Sequence, residues 1–170
     1  MAEFPWLSRR QLNGLGALAC AGMMGFALYA QYGLELDPCP LCVFQRVAVI
    51  TLGTFFLLAF LHGPGGAGAR LYGGLMCVPA IGGMAVAGRQ VWLQHLPKDE
   101  VPACGPGLDY ILDVFPFHEA LAMVFEGSGE CAEVEWSFLG LSMAGWVFVI
   151  LAGLVVFAAW NNFRRESRAF

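Results

Sequence analysis

The chain has 170 residues, 58% of them hydrophobic and only 13% charged, with a mean hydropathy of +0.65. A soluble domain carries about 45–50% apolar residues, so this composition excludes both a water-soluble globule and a disordered chain and points to lipid as the solvent. A net charge of -4, with no dense Lys/Arg face to neutralise phosphates, excludes nucleic acid as a partner.

In chain order, Ser8-Arg9-Arg10-Gln11-Leu12 comes first, a pair of arginines ahead of an apolar run. The pattern resembles a twin-arginine export signal, but three further spans follow, and positive-inside charge beside a retained first helix accounts for it. The spans are expected at 12–30, 43–61, 71–92 and 138–160, each near the ~20 apolar residues that cross a bilayer. They lack the period-two polarity of barrel strands, and a helix satisfies its own backbone hydrogen bonds in hydrocarbon. The expected fold is therefore an all-α bundle of four transmembrane helices in a single domain, 1–170. Ala17, Ala21 and Gly25 share one face of the first span, and Gly145 and Gly153 sit two turns apart in the fourth, which suits close helix packing or plain lipid-facing filler. The 63–68 run reads as a tight turn.

Charge orients the bundle. Arg9, Arg10, Arg70, Arg164, Arg165 and Arg168 fall in the N-terminus, the second-to-third connection and the C-terminal tail, so both termini are expected in the cytoplasm. The loops at 31–41 and 93–137 face the other side and contain Lys98 as their only Lys or Arg. Within the long loop, Pro116 can open a short helix with Phe117, Leu121, Val124 and Phe125 on one face, lying on the bilayer surface or capping the bundle. Trp6, Trp92, Trp136 and Trp160 fall at interface depth as belt residues.

The six cysteines separate on this topology. Cys20 and Cys77 lie inside spans, where a cysteine serves as a small buried hydrophobe. Cys39, Cys42, Cys104 and Cys131 lie on the outer side or at its membrane boundary, where an oxidising compartment favours disulfides. Cys39-Pro40-Leu41-Cys42 is a C-x-x-C whose second cysteine starts the second span, where unpaired helix N–H groups favour a thiolate. Arg46 follows one turn later on the same face, placed either to support that thiolate and an anionic electron acceptor or to anchor the helix end by snorkelling.

Cys104 and Cys131 are each flanked by turn residues, Gly105-Pro106-Gly107 and Gly127-Ser128-Gly129, as suits a disulfide across a loop. A four-cysteine zinc site competes for the same residues, but structural zinc usually draws on two closely spaced pairs and only one is present, so no metal is expected. A purely structural pair of disulfides remains open on spacing alone. His95 and Arg89 stand at the outer end of the third span, where a histidine is either an interfacial hydrogen-bonding residue or one that handles protons or a cofactor headgroup. No flavin, haem or nucleotide fingerprint is present.

Three stretches carry a resemblance: Cys39-Pro-Leu-Cys42-Val-Phe-Gln-Arg46, Gly-Ser-Gly-Glu-Cys131-Ala-Glu, and Trp136-Ser-Phe-Leu-Gly-Leu-Ser-Met. Together with the topology they resemble the bacterial inner-membrane disulfide bond formation protein B (DsbB) family over nearly the whole chain. The resemblance implies a multi-pass inner-membrane oxidase, using ubiquinone or menaquinone, of a periplasmic thioredoxin-like protein of the DsbA type. By motif position, Cys104 would present the sulfur attacked by the partner, Cys131 would be its loop partner, and Cys39 would accept electrons from that pair. Cys42 would face the quinone and Arg46 would hold it, with His95 a further candidate for the cofactor. Cys20 and Cys77 match no functional position. Two other readings compete: a vitamin K epoxide reductase-like quinone and thiol enzyme, which places its C-x-x-C on a late helix, and a non-catalytic membrane scaffold with structural disulfides.

Overall fold

The computed structural model describes residues 8–97, 99–102, 110 and 113–164; Trp6, Lys98, Cys104, Arg165 and Arg168 lie outside them. Its elements are α1 (Arg9–Gly33), α2 (Pro40–His62), α3 (Gly66–Leu93), α4 (Phe117–Glu126), α5 (Gly129–Ala132), the strands β1 (Ser137–Phe138) and β2 (Leu141–Ser142), and α6 (Met143–Phe163). Four of the helices, α1, α2, α3 and α6, are long and apolar enough to cross a membrane. Their outward faces carry Leu18, Val78 and Val156, each 68–72% exposed, and an apolar exterior of this kind is stable only against lipid. The expected all-α bundle with four spans is the observed one.

Local chemistry sets the helix ends. The Ser8 hydroxyl accepts from Gln11 N–H while the Gln11 side chain accepts from Ser8 N–H, a reciprocal cap that starts α1. Gly63, with φ 57°, closes α2 in the left-handed conformation that glycine adopts without a Cβ penalty. Hydropathy places the fourth span from 138, but α6 begins at Met143. The residues before it form a hairpin pairing Ser137 with Ser142 and Phe138 with Leu141. Leu139 and Gly140, at φ 51° and 80°, form the two-residue turn whose backbone twist matches its strands, and Ser142 then caps α6 through Gly145 N–H. Apolar residues in a tight turn mimic a span when only composition is read.

The bundle packs around Phe56, Leu52, Met76 and Leu151, with Cys20 buried beside them. Of the small-residue stripe expected on α1, Ala17 packs against the core, whereas Ala21 and Gly25 are exposed, and nothing among the described residues lies within 4 Å of a Cβ built on Gly25 or Gly153. Contact also runs through Asn13, Gly16 and Cys20. A Cβ on Gly16 would stand 2.7 Å from the Phe56 ring, and one on Gly83 would meet Ala48 and Leu151 at 2.8 and 2.9 Å, so these glycines set the helix separation. Cys20 packs against Gly53 as a small apolar residue; Cys77 is only half-buried.

One end of the bundle is closed by arginine and asparagine. Arg9 is buried and donates to the carbonyls of Asn161 and Arg164, at 3.1 and 2.8 Å, and Arg10 donates to the Phe60 carbonyl at 2.7 Å. Cations thus cap the C-terminal carbonyls of α6 and α2, which no intrahelical donor reaches. Beneath them Asn13 Oδ1 accepts from Asn161 and Asn162, at 3.0 and 3.2 Å. These contacts bring the start of α1 beside the end of α6. At the opposite end, α4 follows Pro116 as its sequence pattern predicts and covers the α2–α3 corner. The Phe125 ring centroid lies 6.5 Å from that of Phe44, and the Phe125 carbonyl accepts from Arg89 at 3.2 Å. The side chains of Phe117, Leu121 and Val124 lie outside the described residues.

Candidate active site

Cys39 caps the N-terminus of α2, with Pro40 in the first turn, where a missing N–H costs nothing. The Cys39 sulfur accepts from Cys42 N–H at 3.4 Å, and the two sulfurs lie 2.8 Å apart. Two residues of separation at a helix start thus place both thiols within reach of a common bond, and a disulfide needs little more than side-chain rotation. The short helix α5 brings Cys131 to the same point. Its sulfur lies 3.7 Å from the Ser128 hydroxyl and hydrogen-bonds the Leu41 backbone and the Cys39 thiol. Cys39 and Cys131 are both buried, packed with Leu41, Val86 and Leu93.

Cys39 is therefore the middle sulfur, bonded to Cys131 on one side and Cys42 on the other. Those two bonds, first that to Cys131, together with burial, push its thiol well above the ordinary range. The Cys39 hydrogen bond has the opposite effect on Cys131, lowering it to about 6 despite burial, with the Leu41 and Ser128 backbone helping. These opposite shifts favour the proton on Cys39 and the thiolate on Cys131, a nucleophile beside the cap of α2.

On the inner side of these sulfurs a cavity of about 460 Å³ opens between α1, α2, α3 and α6. Met24, Ala27 and Val147 give it apolar walls, while Cys42, Gln45, Arg46 and Gln90 line its polar side together with the carboxylates Asp37, Glu130, Glu133 and Glu135. The Arg46 guanidinium donates to Gln31 Oε1 and, at 3.2 Å, to the Ala27 carbonyl, so it ties α2 to α1. Sequence reasoning aims this charge at Cys42; in the structure the guanidinium turns to these acceptors on α1, and Arg46 still forms part of the cavity wall. His95 is exposed, with a ring nitrogen 2.7 Å from the Val91 carbonyl, and does not line the cavity. Arg89 lies 4.2 Å over the Trp92 ring.

Sequence reasoning passes over two glutamines. Gln90 Nε2 lies 3.4 Å from each of the Cys39 and Cys42 sulfurs, and its Oε1 accepts from Gln45 Nε2 at 2.6 Å. Both side chains are buried. The available signal was an uncharged amide just inside the end of an apolar span, which hydrocarbon tolerates only when it is paired.

A bundle of four membrane-crossing helices that gathers three cysteines at one end, with a C-x-x-C at a helix cap beside a cavity of mixed polarity, defines a membrane thiol–disulfide protein. The profile of the family described as disulfide bond formation protein DsbB matches residues 9–161, and the chain belongs to that family. It is 52% identical over 160 residues to a disulfide bond formation protein B of Hahella chejuensis, covering 94% of this chain and 97% of the relative. Similar proteins of the same name occur in Chromobacterium violaceum, 50% identical over 94% of this chain and 96% of the relative, and in Nitrosococcus oceani, 51% identical over 96% of each.

Proposed function

We propose that the chain is a disulfide-generating oxidoreductase of the bacterial inner membrane that reoxidises a periplasmic thioredoxin-like dithiol of the DsbA type and delivers the electrons to membrane quinone. The observation that carries this reading is the run of sulfurs Cys131, Cys39 and Cys42, which ends on the wall of a cavity. In the proposed cycle the partner's thiolate attacks Cys104 of a Cys104–Cys131 disulfide, forming a mixed disulfide and releasing the Cys131 thiolate. The low pKa of Cys131, about 6, makes it a good leaving group and keeps it ionised for the next attack. Cys131 then attacks Cys39 of a Cys39–Cys42 disulfide, one S–S bond forming as the other breaks, and the electron pair leaves on Cys42. The partner's second thiolate resolves its own mixed disulfide and departs oxidised, releasing the Cys104 thiolate. Cys104 then attacks Cys131 of the Cys39–Cys131 disulfide, so that the Cys104–Cys131 bond re-forms as that one breaks and Cys39 and Cys42 are left as the dithiol that holds the two electrons.

The cavity suits a quinone head group, with apolar walls for a flat ring and the donors Arg46 and Gln45 for carbonyl oxygens. Ubiquinone and menaquinone both present that head group. Bound there, the quinone supplies an acceptor for two electrons and two protons. Arg46 would hold and polarise it, and Cys42 would be the sulfur that faces it. The arginine distribution supports placing Arg9, Arg10, Arg70 and Arg164 in the cytoplasm and the cysteines in the periplasm. The test is quinone reduction by the purified chain in detergent, supplied with a reduced thioredoxin-like dithiol. Dithiol-dependent turnover is expected, whereas cysteines that stay oxidised whatever dithiol is offered would make the chain a scaffold.

A further inference from the structure

We propose that Gln90 is a positioning residue for the Cys39–Cys42 couple, holding the reduced pair in place by donating to both sulfurs and so setting how readily the couple accepts electrons. The proposal rests on reading that couple as the working one. The geometry is specific. Gln90 Nε2 lies 3.4 Å from each sulfur, and its Oε1 lies 3.7 Å from the Cys42 sulfur as that thiol's acceptor. One carboxamide therefore serves both protonation states, accepting from the thiol and donating to the thiolate. Gln45 fixes the orientation: its Nε2 donates to Gln90 Oε1 at 2.6 Å, which leaves the Gln90 amino group facing the sulfurs.

The direction of the effect follows from acceptor strength. A thiolate is a charged acceptor and binds N–H groups strongly, whereas a disulfide sulfur is a weak acceptor with no proton to give. Donors aimed at both sulfurs therefore favour the reduced pair, and a couple whose reduced form is stabilised is the more oxidising one. Apolar side chains of the same size at 90 and at its partner 45 would leave the fold's packing largely intact and remove this preference. The long reach of α3 thus has a chemical consequence at the cap of α2.

The test is the equilibrium of the couple with glutathione in detergent. The Cys39–Cys42 disulfide and two glutathione thiols give the dithiol and glutathione disulfide, so two electrons and two protons pass while one S–S bond breaks and another forms. The reduced fraction is read by differential alkylation of the peptide carrying both cysteines. Gln90→Leu is expected to shift the equilibrium about tenfold toward the disulfide, or about 30 mV for a two-electron couple. Because Gln90→Leu strands the Gln45 amide, the double variant Gln45→Leu/Gln90→Leu replaces both partners and leaves no buried amide unpaired. It should fold and show the same shift. An equilibrium within twofold of the unaltered chain in the folded double variant would overturn the proposal. The assay contains neither quinone nor protein partner, so failure of the oxidase reading leaves this result standing, and the reverse also holds.

Discussion

The two ends of the bundle solve one problem with different chemistry. Both bury polar groups in an apolar frame, where an unpaired donor or acceptor is expensive. At the arginine end, Arg9, Asn13, Asn161 and Asn162 pair fixed amides and a permanent cation with fixed carbonyls. Such bonds do not change with redox state. At the cysteine end, Gln90 pairs with the Cys39 and Cys42 sulfurs and Gln45 with Gln90, and in the proposed relay those sulfurs change bonding and charge each time electrons pass. Under the proposed function, the contrast teaches that burial of polar side chains serves stability at one end and turnover at the other. Arg9 and Arg46 make the same point, since the first caps a helix and the second stands on a cavity wall.

Substitutions can break this contrast in order of expected size. Cys42→Ser removes the last sulfur of the relay and should lower quinone-linked turnover by more than about 1,000-fold, as loss of an activated nucleophile does, in steady-state assays with a reduced dithiol. Cys104→Ser should abolish transfer from the protein partner yet leave a pre-reduced Cys39–Cys42 pair able to reduce quinone in a single turnover. Arg46→Gln removes charge-assisted hydrogen bonds of about 1.5–3 kcal/mol each and is expected to raise KM for quinone at least about tenfold while sparing exchange between Cys131 and the partner. An unchanged KM would reduce Arg46 to a tether between α2 and α1.

At the other end, Asn13→Ala removes the acceptor shared by Asn161 and Asn162, whose amino groups keep the carbonyls of Arg9 and Ala158, and takes the donor from Asn162 Oδ1, so it should cost about 1–3 kcal/mol for that unsatisfied group. Heat denaturation in detergent should show that loss with no change in turnover. The smallest effect is in pH. Because the pKa of Cys131 is lowered to about 6, its alkylation in the reduced protein should be near its plateau at pH 7 and fall as the pH drops through 6. Cys39, whose thiol is held protonated, should react more slowly at every pH in that window. Equal rates for the two would remove the asymmetry from the site.

Much of the architecture is legible because lipid imposes a simple rule. Apolar runs of the right length announce α1, α2 and α3, and arginines and turn residues mark their ends. The rule fails at 138–142, where a hairpin is as apolar as a span and only the positive φ values of Leu139 and Gly140 distinguish it. It also fails for helix faces: small residues at 17, 21 and 25 look like a packing stripe, but in lipid an outward glycine and an inward one have the same hydropathy. At the site, a C-x-x-C at the start of an apolar run is readable from spacing. The approach of Cys131 to Cys39 joins residues far apart in sequence through a loop and a short helix, which no local pattern encodes. Gln45 and Gln90 show in the sequence only as amides inside apolar spans, and such an amide acquires its role from what it faces, the two sulfurs for Gln90 and Gln90 itself for Gln45.

The relay depends on the junction at Cys39, and cross-linking tests it directly. In a Cys42→Ser/Cys104→Ser variant, mild oxidation in detergent should join Cys39 to Cys131 in the folded protein, recovered as one disulfide-linked peptide pair by mass spectrometry. A folded variant in which the two cysteines stay unlinked, or in which Cys131 pairs with Cys20 or Cys77 instead, would contradict the relay.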